Sequence, residues 1–86
     1  MAYKKLIMAT MPPVDNHRYF ILWRGADEPD GGLPVLAKRV QYQDTPYIRY
    51  VTCTGWQMLP NGEYKSCLWT ELEPPSRKEQ RMIWEG

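Results

Sequence analysis

The chain has 86 residues, a formal net charge of +1 and a pI of about 7.8. It therefore forms one small domain, and it is neither a polyanion imitating nucleic acid nor a basic protein held on phosphate by bulk charge. Four Trp, six Tyr and one Phe must fill much of a core that hides only about 60–65% of the unfolded surface, while eight Pro and six Gly argue against a helical bundle and for mainly β structure.

Lys4-Lys5 followed by Leu6-Ile7-Met8-Ala9 has the start of a signal peptide. The apolar run stops at Thr10 and Pro12-Pro13, short of the roughly 7–15 apolar residues such a core needs. Nor does any stretch approach the roughly 20 apolar residues of a membrane span. The expectation is a cytoplasmic protein with no membrane partner, in which the two thiols Cys53 and Cys67 are unremarkable.

Residues 3–10 read as a first strand, and residues 11–17 (MPPVDNH) as a loop, because proline forces its predecessor to extended geometry and Asp-Asn favours a turn. Residues 18–24 (RYFILWR) are the clearest strand of the first half. Their continuous apolar character places them centrally, covered on both faces. Residues 25–32 (GADEPDGG) are a loop rich in acids and glycine. Residues 33–42 form the next strand, with Leu33, Val35 and Ala37 on one face and Leu36, Lys38, Val40 and Tyr42 on the other. Pro34 marks either an edge position or a strand that begins one residue later. A turn follows at residues 43–46.

Residues 47–59 read as one strand, broken or bulged at Gly55. Asn61-Gly62 is the strongest hairpin signal, since both residues tolerate the positive φ of a type I′ turn. That loop pairs Leu59 with Tyr64, Trp56 with Cys67, Thr54 with Trp69 and Cys53 with Thr70. Trp56 and Trp69 become diagonal neighbours on one face, the expected packing centre of the C-terminal half. The two cysteines fall on opposite faces, which disfavours a disulfide. Ser76-Arg77-Lys78-Glu79 matches a capping box, so residues 76–84 form a short terminal helix that docks through Met82, Ile83 and Trp84. The predicted fold is mainly β, α+β at most. It is a single antiparallel sheet or partly open barrel of about five strands, with a C-terminal hairpin and a short C-terminal helix.

The chemistry-bearing residues are sparse. His17 is the single histidine, in a loop beside Asp15 and Asn16, with no recognisable nucleophile or orienting group. His17, Cys53 and Cys67 have no metal-ligand spacing. Asp27, Glu28 and Asp30 lack the regular oxygen spacing of a calcium loop, and Glu71 and Glu73 share one strand face as an ordinary solvated edge. Gly31-Gly32 runs into Leu-Pro, which cannot open a helix over phosphates. No enzyme activity, metal or cofactor is expected.

Two binding classes remain. Tyr42, Tyr47, Arg49 and Tyr50 with Lys38 and Arg39 interleave aromatics and bases, as a β surface that stacks nucleic-acid bases would. Alternatively, Tyr, Trp, Met and Arg are the residue types that dominate protein-binding hot spots. On that reading Trp23 and Arg24, the neighbouring acids Asp27, Glu28 and Asp30, and Trp84 near the C-terminus are the candidate contacts.

Gly55-Trp56 and the run Cys67-Leu68-Trp69-Thr70-Glu71-Leu72-Glu73-Pro74-Pro75 resemble the closing signature of a small phage and prophage family of unknown function. That family carries a Gly-Trp and ends in His-Trp-x-x-Leu-Pro-x-Pro-Pro. Trp56 and Trp69 stand for its tryptophans, Leu72 for its leucine and Pro74-Pro75 for its last prolines; Leu68 replaces its histidine and Glu73 its first proline. Met11-Pro12 stands where the family has Leu-Pro before a strand, and the acidic loop is an addition. The resemblance implies a compact β-rich fold of phage or mobile-element origin and brings no activity with it. Small phage proteins without motifs are often inhibitors of host proteins. The expected function is thus a binding protein that occupies a host protein surface in the bacterial cytoplasm, as an inhibitor of a defence system (anti-CRISPR-like), with nucleic-acid binding as the alternative.

Overall fold

The computed structural model describes residues 2–25, 32–73 and 75–85. They form an open antiparallel sheet of six strands: β1 (Lys4–Lys5), β2 (Tyr19–Trp23), β3 (Val35–Tyr42), β4 (Thr45–Thr52), β5 (Gly55–Met58) and β6 (Leu68–Glu71). The spatial order is β1-β6-β2-β3-β4-β5. One helix, α1 (Arg77–Glu85), follows, and short 3₁₀ segments occupy Met8–Thr10 and Asn61–Ser66. The mainly β fold is the expected one, and it stays open with β1 and β5 at its edges.

Strands β2 to β5 succeed one another as neighbours, after which the chain returns across one face of the sheet and inserts β6 between β1 and β2. Alternation along the strands puts Phe20, Leu22, Ala37, Ile48 and Trp69 on that inner face, where they meet Leu6, Leu59 and Cys67 of the covering chain. Leu22, Ala37 and Ile48 are completely buried, and each side chain the size of Leu or Ile contributes about 1.5–3 kcal/mol by leaving water. The Trp69 ring meets Phe20 edge-on at 5.6 Å. Specific polar contacts pin the covering segments. Trp69 Nε1 donates to Thr10 O at 2.9 Å, Arg39 Nη1 to Pro12 O at 3.0 Å, and Ile48 N to the Tyr64 hydroxyl at 3.2 Å. No helix among the described residues is long and apolar enough to cross a membrane.

The structure corrects the sequence reading most at the C-terminal hairpin. Asn61-Gly62 opens a 3₁₀ segment, and among the described residues the positive φ values fall at Gln43, Gly25, Gly32 and Gly55. The turn lies at Cys53-Thr54 instead, closed by the Thr52–Gly55 pair. Thr52 Oγ1 accepts from Thr54 N at 3.2 Å and donates to Gly55 O at 3.0 Å, and Gly55 takes φ +116°. Local hydroxyl bonding and one glycine thus fold residues 47–59 back on themselves as two strands rather than one. The four pairings counted from Asn61-Gly62 are absent: Trp56 faces Val51, and Trp69 faces Leu22 and Lys4.

Smaller differences have local causes. Only Lys4–Lys5 of the expected first strand pairs, because the chain turns into 3₁₀ at Met8. Strand β2 is central, but only its inner residues Phe20 and Leu22 are buried; Tyr19, Ile21 and Trp23 are partly open. Strand β3 starts at Val35, immediately after Pro34, with the expected face assignment. Thr45 and Pro46 already belong to β4, so the preceding turn is Gln43-Asp44 alone. The capping box is present, with Glu79 N donating to Ser76 Oγ at 3.2 Å and Ser76 N to Glu79 Oε1 at 3.2 Å. Helix α1 is not anchored through Met82 and Ile83, which are exposed. Its first turn is closed by its own local hydrogen bonds, Gln80 N to Ser76 O and Gln80 Nε2 to Pro75 O.

Candidate functional site

The outer face of the sheet is built by the residues that alternate with the core. Tyr19 from β2, Lys38 and Tyr42 from β3, Tyr47 and Arg49 from β4, and Trp56 and Met58 from β5 all project from it. Val40 is buried on this face and stands outside the core cluster. The indole of Trp56 is its hub. The Tyr19 ring lies 6.2 Å away, Lys38 Nζ sits 5.0 Å from the indole centroid, and Arg49 Cζ sits 5.5 Å from it. Lys38 Nζ also lies 5.5 Å from the Tyr19 ring. Each such cation–ring contact contributes about 0.5–1 kcal/mol at an exposed site and holds a long side chain in one place.

Beside this cluster an open groove of about 700 Å³ runs over β3, β4 and β5, walled by Tyr42, Tyr47, Arg49, Trp56 and Met58. Tyr42 is 64% exposed and Met58 63%. Among the described strand residues of the face the charge is one-sided: they include Lys5, Lys38 and Arg49 and no Asp or Glu. The described ion pair, Arg18 with Glu71 at 3.1 Å, lies apart from the groove.

The sequence candidates scatter. Trp23 is half-buried on the outer face opposite Leu68. Arg24 turns to the other side, its guanidinium 4.3 Å over the Tyr50 ring. Adjacent residues of an extended strand point to opposite faces, so the two do not form one patch. Asp27, Glu28 and Asp30 lie outside the described residues, as does the side chain of Trp84. The nucleic-acid candidates split in the same way. Tyr42, Tyr47, Arg49 and Lys38 share the outer face, whereas Tyr50 packs on the core and Arg39 bonds Pro12 O. Tyr19, Trp56 and Met58 were not among the sequence candidates. A turn placed at Cys53-Thr54 would have found the last two, because it sets Trp56 opposite Val51 and Met58 opposite Arg49.

The remaining reactive groups have structural surroundings. His17 is exposed, its backbone N–H donating to Asp15 Oδ1 at 2.9 Å. Cys53 is exposed in the β4–β5 turn, and Cys67 is buried with Sγ donating to Glu63 O at 3.3 Å. No three His, Cys, Asp or Glu side chains gather among the described residues. Burial raises the Tyr64 phenol above its ordinary value, against the lowering effect of the Ile48 N–H bond. The Ser76 hydrogen bonds hold Glu79 below the usual glutamate range. Neither group lines the groove. Comparison with known protein families, curated proteins and solved structures finds no match to this chain.

Proposed function

We propose that this protein is a small binding module that occupies the surface of a partner protein through its outer-face groove. The observation that carries this reading is the gathering of Tyr42, Tyr47, Arg49, Trp56 and Met58 around one open groove. Aromatic residues, Met and Arg are enriched where protein interfaces concentrate their energy, and carboxylates and lysines are depleted there. Trp56 and Arg49 are held in place by their own contact and by Lys38, so less ordering entropy is lost on binding.

The finer reading is a phage or mobile-element protein that blocks a bacterial host protein in the cytoplasm, as an anti-CRISPR-like inhibitor would. It rests on the resemblance of residues 55–75 to the phage signature. A photo-crosslinking residue in place of Tyr42 or Met58, introduced into the chain in bacterial cells, is expected to trap one defined protein. The same residue in place of the exposed Lys65, which lies outside the groove, is expected to trap none. Equal crosslinking from both positions, or none from the groove, would sink the proposal.

Nucleic-acid binding is the second reading, favoured by Tyr42, Tyr47, Lys38 and Arg49 sharing one face. It is the weaker one because cations lie against the Trp56 ring that a base would stack on. A strong fall in affinity for single-stranded DNA with rising salt would establish it.

A further inference from the structure

We infer that the open edge of β5 binds an extended, acidic segment of the partner as an added antiparallel or parallel strand, whose alternate side chains enter the outer-face groove. This rests on the protein-binding reading above and specifies the partner's conformation and charge. Three observations carry it.

The first is the ladder itself. Leu59 N donates to Ile48 O at 2.8 Å, so Ile48 and Leu59 are a hydrogen-bonded pair. In an antiparallel ladder such pairs alternate with non-bonded ones. Arg49–Met58 and Val51–Trp56 are therefore the non-bonded pairs. The backbone N–H and C=O of both Trp56 and Met58 then point away from β4, toward the side where no strand lies among the described residues.

The second is the contrast between the two edges. Strand β1 has two residues, both lysine, which is how sheets commonly discourage edge pairing. Strand β5 is Gly55-Trp56-Gln57-Met58, with no charge and no proline. An unguarded edge beside a lined groove is the arrangement used by domains that bind peptides through strand addition, where backbone bonds give affinity and alternate side chains give specificity.

The third is charge. Lys38 reaches across β4 to within 5.0 Å of the Trp56 ring on β5, and Arg49 comes within 5.5 Å of the same ring. The Trp56 ring leans inward, to 6.2 Å from the Tyr19 ring on β2, so both cations gather behind β5, on a face whose described strand residues include no carboxylate. A glutamate on an added strand, about 4.8 Å beyond β5, reaches inward over β5 toward the Arg49 guanidinium that lines the groove.

The test uses the full chain and a short synthetic peptide alternating valine and glutamate, with a valine–lysine peptide as its counterpart. Amide exchange is read residue by residue. The expected result is a several-fold slowing of exchange at Trp56 and Met58 with the glutamate peptide and no change with the lysine peptide. Met58→Pro should abolish the effect, because it removes an outward N–H without breaking a bond to β4. Gln57→Ala, on the opposite face of the same strand and outside the groove, keeps every outward N–H and should retain it. Unchanged exchange at Leu22 and Ile48 confirms that both variants fold. Slowing by both peptides overturns the acidic occupant. Peptide-induced shifts at Tyr42, Tyr47 and Arg49 without protection at Trp56 and Met58 overturn strand addition while leaving the groove reading in place. Protection that rises with protein concentration alone assigns the edge to a second copy and overturns the inference. No response to either peptide also overturns it, and the crosslinking from Tyr42 and Met58 then decides the groove reading separately.

Discussion

Trp56 and Trp69 project from opposite faces of the same sheet. Trp69 lies on the inner face against Phe20, with its indole N–H on Thr10 O, while Trp56 lies outside against Tyr19, Lys38 and Arg49. The two are expected to separate stability from binding. Trp69→Ala removes a large core side chain, a loss of about 3–5 kcal/mol. A domain of this size has a total stability of about 4–13 kcal/mol, so this variant should melt far below the parent or fail to fold. Trp56→Ala should melt well above Trp69→Ala, since it loses only a half-buried ring and cation contacts of about 0.5–1 kcal/mol each, yet lose most crosslinking from Tyr42 and Met58. Thermal melts followed by near-ultraviolet circular dichroism check the first half. Equal melting temperatures for the two variants would contradict the assignment of faces.

The glycines give a second contrast. Gly55 closes the β4–β5 turn at φ +116°, a conformation that strains any side chain, although a Cβ there would meet nothing within 4 Å. Gly62 sits in the 3₁₀ segment with open space around it and no positive φ. Gly55→Ala is expected to cost about 1–3 kcal/mol. Gly62→Ala is expected to be neutral or to stabilise by up to about 1 kcal/mol through reduced freedom of the unfolded chain. Urea titrations of both variants check this, and the opposite ranking would restore an Asn61-Gly62 hairpin.

The pair of glycines also shows how much of the fold the sequence carries. Strands β2 and β3 and the faces of β3 were legible because their apolar runs are bounded by Arg, Pro and polar turns, and burial on one face fixes period two. The cap of α1 was legible because Ser76 and Glu79 need only each other. The β4–β5 hairpin was not, because an Asn-Gly dipeptide suits a type I′ turn and a 3₁₀ start alike. The competing turn at Cys53-Thr54 rests on Thr52 hydroxyl bonds that no composition rule marks. A turn at Asn61-Gly62 puts Trp56 on one face with Trp69, in the core, and scatters the residues of the outer-face site.

Tyr64 ties the returning chain to the sheet, because its hydroxyl accepts the Ile48 N–H at 3.2 Å, at a residue that is completely buried. Tyr64→Phe leaves that donor without a partner and is expected to cost about 1–3 kcal/mol. The phenol also gives a pH signature. Burial raises its folded value above the ordinary 10.0, so folding favours the protonated form. That contribution is fully present below the unfolded value and is lost as pH rises through the folded one. The parent should therefore lose stability at strongly alkaline pH by a component that Tyr64→Phe lacks. Chemical denaturation at neutral and alkaline pH checks both effects.

Helix α1 should respond to acid by itself. Glu79 lies below its ordinary value because the Ser76 hydroxyl and backbone N–H both bond its carboxylate. A lowered carboxylate value adds stability that is present above the unfolded value and lost as pH falls through the folded one. The helix is short, and its described side chains from Arg77 to Ile83 are exposed, so no packing among them replaces the cap once Glu79 is protonated. Carbonyl-carbon chemical shifts of residues 77–83 should move toward coil values below about pH 4 while Leu22 and Ile48 keep their native shifts. Ser76→Ala should show the same loss of helix at neutral pH and little further change on acidification. A helix that persists in Ser76→Ala would mean that something other than the capping box holds it.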